Sequence, residues 1–408
     1  MLTSATTKRL AFAVAATAMI GSAIMSGSAS ADPKQFTAAV GVGSDTTQDV
    51  MNAMAGFSNG VNYTPIQSSA ASGARQLISF DALAPAGVSG TCITTKLGAP
   101  TMHRPNGSSE GRRALSRSLD GTNYSTDTSC NPTGPVDVSG LVEFARSSSG
   151  PAAGDTGTDL TYIPFGRDGV SFGYYKANTG AGFTAPVTSL TRAQLTSLFT
   201  TGPQVIGGVR MVPCGIQTGS GTFSFWNTVT TATTAQENTA TTLCNNLLGI
   251  GARAQENNAA DLKARGDALA AVAGEADSQV VIGFSAGAYI AKANGAASGD
   301  PVAANVGIGA ISDNGAGVNL GSPITGTAPN LAPSATFFNA ATFGRSVYNV
   351  FPTAVVTSLF GNDDLKSMFV GATSSLCSNT AVIQKFGFLV HPSCGSTATK
   401  GSLLTGQL

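Results

Sequence analysis

Apolar, strand-like runs repeatedly break at a turn of Gly, Ser and Thr and then continue as a helix-like segment. The pattern occurs in FTAAVGVGSDTTQDVMNAM from residue 36, in VRMVPCGIQTGSGTFSFWNTV from residue 209 and in VVIGFSAGAYIAKA from residue 280. Between them, LTRAQLTSLFTTG has helical spacing, with a cap predicted at Ser189 or Thr191 and an end at Gly202. Strands that alternate with helices predict an α/β protein.

The first 31 residues have the composition of a secretory signal. Lys8 and Arg9 precede the apolar run LAFAVAATAMIGSAIM, and small residues follow up to Ala31. The first cysteine is Cys92, so no cysteine lies near a cleavage site after Ala31 to accept a lipid. We therefore expect a secreted or cell-wall-associated protein without an acyl anchor. No later apolar stretch reaches roughly 18 residues, so a second membrane span is not expected.

Charge is sparse and balanced, with 22 basic and 22 acidic residues. This balance argues against nucleic acid or an anionic membrane as a partner. Six cysteines in an exported chain predict disulfides, and their order favours the neighbouring pairs Cys92 with Cys130, Cys214 with Cys244, and Cys377 with Cys394. Only two histidines occur, and no Cys-x-x-Cys or His-x-x-x-His spacing is present. Neither a structural zinc site nor a cofactor is therefore expected.

Three turns have a composition suited to binding an anion. They are GVGSDTTQ at 41–48, RPNGSSEG at 104–111 and QTGSGTFS at 217–224. The start of a helix has unpaired N–H groups and a partial positive charge, and glycine lets a ligand approach the backbone. The hydroxyl donors in these turns are Ser44, Thr46, Thr47, Ser108, Ser109, Ser220 and Thr222. Each turn taken alone is also a common helix cap, so the anion-binding hypothesis depends on the three occurring together.

The motifs GSDTTQDV, RPNGSSEG, EFARSSSG, LTRAQLTSLF, TGSGTFSFW and VIGFSAGAYI occur in this order along the chain. In this order the chain resembles the phosphate-binding protein of ABC importers, and more closely its divergent secreted actinobacterial relatives. The resemblance spans about residues 38 to 390. It implies a type II periplasmic-binding-protein-like fold: two α/β lobes with mixed sheets flanked by helices, joined by crossover hinge strands, with the ligand held between them.

The resemblance also implies domain boundaries and partners. The first lobe would comprise 32–165 and 291–408, and the second lobe, 166–290, would be inserted between these parts. The implied ligand is a small inorganic oxyanion, most simply phosphate, and the implied partner is an ABC permease. We expect a monomeric binding protein that is not an enzyme.

Carried over by position, the implied ligand contacts come from the three turns. They are Asp45, Thr46 and Thr47, then Gly107, Ser108 and Ser109, then Ser220, Gly221 and Thr222, with Ser44 and Ser147 beside them. The chain departs from the family at Ile216, where the family has an arginine, and at Ser148, where it has an aspartate. Arg146 or Arg104 could supply the missing guanidinium, and Asp45 could replace the missing acceptor.

Two other functions remain open at this stage. GFSAG fits Gly-x-Ser-x-Gly, which would make Ser285 the nucleophile of a secreted esterase, with His391 as base and Asp313, Asp363 or Asp364 as third member. Its late position, the lack of an upstream His-Gly-Gly run and its coincidence with the family's returning strand favour a structural turn. The remaining alternative is a ligand-free cell-surface protein of the same fold.

Overall fold

The computed structural model describes residues 39–68, 75–84, 91–124, 130, 136–178, 183–249, 252–359 and 361–406. The predicted signal at 1–31 lies outside the described residues. Among those that are described, no helix combines the length and apolar character needed to cross a membrane.

Helices and strands alternate along most of the described chain, as the sequence pattern predicts. The helices are α1 Gln48–Met54, α2 Ser108–Asp120, α3 Arg192–Thr201, α4 Gly221–Thr230, α5 Thr234–Ala240, α6 Thr242–Asn246, α7 Ala259–Ala270, α8 Ala286–Ala293, α9 Ala335–Phe338, α10 Thr353–Thr357, α11 Asp363–Phe369, α12 Ser375–Ser378 and α13 Thr380–Lys385. The strands are β1 Ala39–Gly43, β2 Phe57–Ser58, β3 Val61–Asn62, β4 Leu77–Ser79, β5 Cys92–Ile93, β6 Met102–His103, β7 Phe144–Ser147, β8 Leu160–Lys176, β9 Ser189–Thr191, β10 Gln204–Ile206, β11 Val209–Pro213, β12 Gln279–Ser285, β13 Gly307–Ile308, β14 Ala310–Asp313, β15 Ile324–Thr325, β16 Ala332–Pro333, β17 Gly344–Pro352, β18 Leu389–Val390 and β19 Lys400–Gly401.

A mixed sheet in the order β10-β11-β12-β8-β17-β7-β1-β4 runs through the molecule. The pairs β1–β4, β1–β7 and β11–β12 are parallel, whereas β8 pairs antiparallel with β12 and β17. The α/β prediction with a mixed sheet flanked by helices is confirmed.

Strand β8 joins two packed halves. Its first part, Leu160 to Gly169, pairs with β17, and its second part, Val170 to Lys176, pairs with β12. Residues on either side of this division pack into different cores. One core collects buried residues from Val170 to Phe343, and the other two draw on the chain before 166 and after 290. We call the half around the first core the second lobe and the remainder the first lobe.

The sequence-based boundary at residue 290 stays a prediction. Several residues after it, from Val306 to Phe343, pack into the core of the second lobe.

Local signals in the sequence agree with the structure where they are strongest. Helix α3 begins after Thr191, whose hydroxyl accepts from the backbone N–H of Gln194, and Gln194 bonds back to form a capping box; the helix ends at Gly202. The three predicted disulfides, Cys92–Cys130, Cys214–Cys244 and Cys377–Cys394, are confirmed.

Candidate functional site

The first lobe brings two of the three turns to one edge of its sheet. Strands β1 and β7 are parallel, with Gly43 in register with Arg146, so the residues that follow each strand lie side by side. The first turn of helix α2 packs closely on the end of β1. If Gly111 carried a Cβ atom, that atom would lie only 2.5 Å from the Cα of Gly43. The turn at 44–47 and the serines at 108 and 148 therefore share one edge of the first lobe.

The second lobe contributes the turn that precedes α4. Ser220 caps this helix, and its Oγ accepts from the backbone N–H of Thr222 at 2.9 Å and of Phe223 at 3.2 Å. The same hydroxyl donates to the carboxylate of Glu256, which is buried. Since the hydroxyl is used in this way, Ser220 and Glu256 form one rigid unit at the start of α4.

The turns of the two lobes meet. The Oγ1 atoms of Thr46 and Thr222 lie 3.4 Å apart. A Cβ on Gly221 would lie 2.4 Å from Ser108 Oγ and 2.5 Å from Ser148 Oγ. The backbone N–H of Ser109 also donates to the carbonyl of Gly219 at 3.0 Å. The structure therefore places the predicted turns against one another in a closed cleft between the lobes.

An arginine that the sequence analysis missed lies at the centre of this contact. Arg345, on β17, is 4% exposed. Its Nε and Nη2 donate to Asp168 Oδ2 at 3.0 and 2.8 Å. Nη2 also lies 3.0 Å from Thr222 Oγ1 and 3.4 Å from Thr46 Oγ1, so one guanidinium reaches a threonine of each lobe. A single arginine in the strand GRSVYNVFP carries no local signal that would have identified it.

Asn257, also missed, links the second lobe to the first turn. Its Nδ2 lies 3.1 Å from Thr46 Oγ1 and 3.3 Å from Asp45 Oδ2, and its Oδ1 accepts from the backbone N–H of Ser285. Its φ of 54° is in the left-handed region, which asparagine tolerates better than most residues.

Several polar atoms at the site are buried and have no hydrogen-bond partner within the described part of the chain. They are Ser44 Oγ, Thr47 Oγ1, Glu256 Oε1 and Arg345 Nη1. Leaving one such group unsatisfied costs about 1–3 kcal/mol, so native proteins rarely bury one without a partner. Three of the four belong to groups that can donate a hydrogen bond. The arrangement is therefore suited to a ligand that accepts hydrogen bonds.

Burial also perturbs the acids at the site. It raises the pKa of Asp45, opposed by the charge of Lys292 and the hydrogen bond from Asn257. It raises the pKa of Glu256 as well, and the negative charge of Asp45 adds to this increase. The pKa of Asp49, on α1, rises to about 7, mainly through burial. Burial thus favours the neutral form of all three carboxyl groups.

Thr46, Ser108, Ser148, Thr222 and Arg345 form the cluster where the lobes meet. The structure does not bring every predicted residue to this cluster. The Arg146 guanidinium bonds to the carbonyls of Ser44, Gly41 and Gly43 at 2.8–3.3 Å and to Ser79 Oγ at 2.8 Å. These bonds fix the guanidinium to the backbone at the end of β1. Burial lowers the pKa of Arg146 to about 10.

Two more predicted residues make contacts elsewhere. Arg104 Nη1 donates to the carbonyl of Asp81, and Ser147 Oγ donates to that of Ser149. Neither of these bonds leads to the cleft. A contact of Arg104, Ser147 or Arg146 with a ligand therefore stays a prediction.

Ser285 makes structural contacts in place of catalytic ones. It is buried, caps α8 by accepting from the backbone N–H of Ala288, and donates to Asp168 Oδ1 at 2.9 Å. His391 Nε2 instead lies 3.0 Å from Ser346 Oγ. The esterase alternative finds no support in this geometry.

A cavity of about 800 Å³ opens from solvent onto the cluster. Ser148 and Arg345 are among its lining residues, together with residues of α2, the beginning of β8 and the segment 402–405. No group of three or more His, Cys, Asp or Glu side chains suited to a metal ion occurs in the portion of the chain that is described.

No protein-family model and no curated protein matches the chain. Solved structures do resemble it. One is a protein from Clostridium perfringens assigned as a phosphate ABC transporter substrate-binding protein and solved with bound phosphate. The two sequences are 12% identical, the match covers 87% of this chain and 99% of the other, and the TM-score is 0.43. Another is an ABC-type phosphate transport receptor from Vibrio cholerae, with 14% identity, coverage of 61% and 80%, and a TM-score of 0.35. PstS from Borrelia burgdorferi has 11% identity, coverage of 88% and 99%, and a TM-score of 0.35.

The chain is similar to phosphate-transport receptors. With identities of 11 to 14% and TM-scores of 0.35 to 0.43, the likeness is distant and carries no weight for the ligand or for residue roles.

Proposed function

We propose that the protein is a non-enzymatic solute-binding protein that captures a small oxyanion, phosphate in the simplest case, between its two lobes. The observation that carries the proposal is a set of buried donors that have no partner among the described residues: Arg345 Nη1, on a side chain that contacts both lobes, and Ser44 Oγ and Thr47 Oγ1, in the first turn on either side of Thr46. An oxyanion would accept from all three and relieve the cost of burying them. The motif resemblance to phosphate-binding proteins supports phosphate as the first ligand to test.

Arg345 would provide charge without making the site strongly cationic. Two of its nitrogens are engaged with Asp168, which offsets the positive charge and orients the guanidinium. The third nitrogen, Nη1, is left for the ligand. Charge-assisted hydrogen bonds of this kind are roughly twice as strong as neutral ones, and neutral hydroxyls would complete the shell around the anion.

Binding would be coupled to lobe closure. Asn106 of the first lobe and Gln255 of the second exchange two amide hydrogen bonds, at 3.1 and 3.2 Å. Together with the contact between Thr46 and Thr222, they hold the closed cleft. A ligand favours the closed state only through contacts that the open state lacks, and an anion touching Thr46, Thr222 and Arg345 would make such contacts.

The same proposal includes export, a monomeric state and delivery of the ligand to an ABC permease. The predicted signal at 1–31 supports export. Assignment of the first turns to one lobe and of residues 220–222 to the other supports a receptor that opens and closes.

Isothermal titration calorimetry of the purified chain with phosphate, arsenate and sulfate tests the binding proposal. We expect Thr222→Val to weaken phosphate binding about tenfold, because its hydroxyl contacts both Arg345 and Thr46. Arg345→Lys should weaken it about 100-fold, because lysine cannot hold Asp168 and the ligand at once. Thr239→Val, an exposed change on α5, is the matched control and should bind normally. If none of the three anions binds at millimolar concentration, the proposal is wrong.

A further inference from the structure

The cavity that borders the cluster is far larger than a bare oxyanion requires. A tetrahedral oxyanion has five heavy atoms, and at the about 30 Å³ that each molecule occupies in liquid water it fills roughly 150 Å³. The cavity measures about 800 Å³, within the range of about 300–1,000 Å³ found for sites that hold organic ligands. Ser148 and Arg345 belong to both the cavity and the cluster, so the cavity borders the cluster.

The walls of the cavity carry excess positive charge. Besides Arg345, which Asp168 offsets, three arginines line it, and the one lining carboxylate is Asp155. Asp155 already accepts hydrogen bonds from the backbone and side chain of Ser402. Negative charge on a ligand would therefore meet arginines rather than this carboxylate.

Hydrogen bonds hold two of the three arginines. Arg112 is held by the carbonyls of Ser108 and Gly150 and by Tyr162, and Arg167 by Ser346 and the carbonyl of Phe338. Arg113 Nε, by contrast, is buried and has no hydrogen-bond partner among the described residues. Arg113 therefore has hydrogen-bonding capacity that the described residues do not use, as does Arg345 through Nη1.

An apolar strip faces the arginines. Pro151, Ala152, Leu403 and Leu404 line the same cavity, and the ring of Phe225 lies 5.6 Å from the guanidinium carbon of Arg345. A carbon skeleton could pack on this strip while acidic groups meet the cations.

We propose that the ligand is an organic phosphate with a second acidic group. Its phosphate would occupy the hydroxyl cluster, and its organic part would fill the cavity and place the second acidic group near Arg113. This inference rests on the proposed function, since it assigns a fuller ligand to the same site.

Calorimetry with inorganic phosphate, glycerol 3-phosphate, glucose 6-phosphate and fructose 1,6-bisphosphate tests the inference. We expect the bisphosphate to bind at least tenfold more tightly than inorganic phosphate. Arg113→Gln should weaken bisphosphate binding about tenfold and leave inorganic phosphate unchanged, because Arg113 lies on the wall and not in the cluster. Ala153→Trp, an exposed change that narrows the cavity, should have the same selective effect.

Arg210→Gln is the matched control. Arg210 pairs with Glu275 on the second lobe and does not line the cavity, so its loss should change neither affinity. If inorganic phosphate binds as tightly as every ester, or if both cavity variants bind the bisphosphate normally, the inference is wrong and the proposed function stands. If neither inorganic phosphate nor any ester binds, both the inference and the proposed function are wrong.

Discussion

Gly221→Ala should block closure of the cleft while leaving the second lobe folded. Gly221 is the first residue of α4, where alanine is a better helix former than glycine, so the change should stabilise the isolated helix by up to about 1 kcal/mol. In the closed protein, however, the new Cβ would lie 2.4 and 2.5 Å from the hydroxyl oxygens of Ser108 and Ser148.

The size of the effect follows from these distances. An ordinary contact needs 3.4 Å or more, so the start of α4 must withdraw from the first lobe by about 1 Å. The contact of Thr46 with Thr222, at 3.4 Å, and the bond from Ser109 N to the carbonyl of Gly219, at 3.0 Å, would then exceed hydrogen-bond range. Loss of about two such bonds and of one ligand contact, at about 1 kcal/mol each, corresponds to roughly 100-fold weaker anion binding.

Calorimetry with phosphate measures the affinity, and small-angle X-ray scattering with and without phosphate measures closure. Thr228→Ala, on the same helix, is the control, because its hydroxyl donates to the carbonyl of Ser224 within that helix. In a background with Ser108→Ala and Ser148→Ala the nearest remaining atom is the residue 108 Cβ at 3.1 Å, so Gly221→Ala should then permit closure. Wild-type phosphate affinity for Gly221→Ala alone would refute the reasoning.

Three further predictions concern stability and catalysis. Asp49→Asn should be more stable than the wild type at pH 8 by up to about 4 kcal/mol and should lose this advantage by pH 4. Because the pKa of Asp49 in the folded protein is raised to about 7, the native state binds more protons than the unfolded chain between about pH 4 and 7, and wild-type stability falls as the pH rises through that window. Urea unfolding of both proteins at pH 4 and pH 8 measures the difference, and equal stabilities at both pH values would contradict the prediction. Replacing Cys214 and Cys244 by serine should cost about 3–4 kcal/mol, because the bridge closes a loop of 30 residues in the unfolded chain; an unchanged urea midpoint would count against this. A serine-directed phosphonate should not label Ser285, and Ser285→Ala should lower the melting temperature through loss of the α8 cap, whereas phosphonate labelling detected by mass spectrometry would revive the esterase alternative.

Local chemistry is what the sequence could predict. The capping box from Thr191 to Gln194 and the stop at Gly202 involve neighbours a few residues apart, so the sequence contains the whole interaction. The pairing of neighbouring cysteines was also predicted correctly. The recurrence of Gly-, Ser- and Thr-rich turns after strands indicated that these segments act together, and the parallel pairing of β1 with β7 explains why the turn at 44–47 and Ser148 share an edge.

Contacts between distant segments were decided only by the tertiary structure. Asp168 and Arg345 are 177 positions apart and meet because β8 and β17 pair in that register. Arg146, a candidate ligand contact from the sequence, lies on a strand whose side chains alternate between faces, and tertiary packing brings its guanidinium to the carbonyls of the first turn. Residue types and spacing specify which groups are available, whereas strand register and lobe packing decide which of them face the same space. A charge or hydroxyl can reach the cleft only from the correct side of its strand, so the set of groups that meet there depended on the fold.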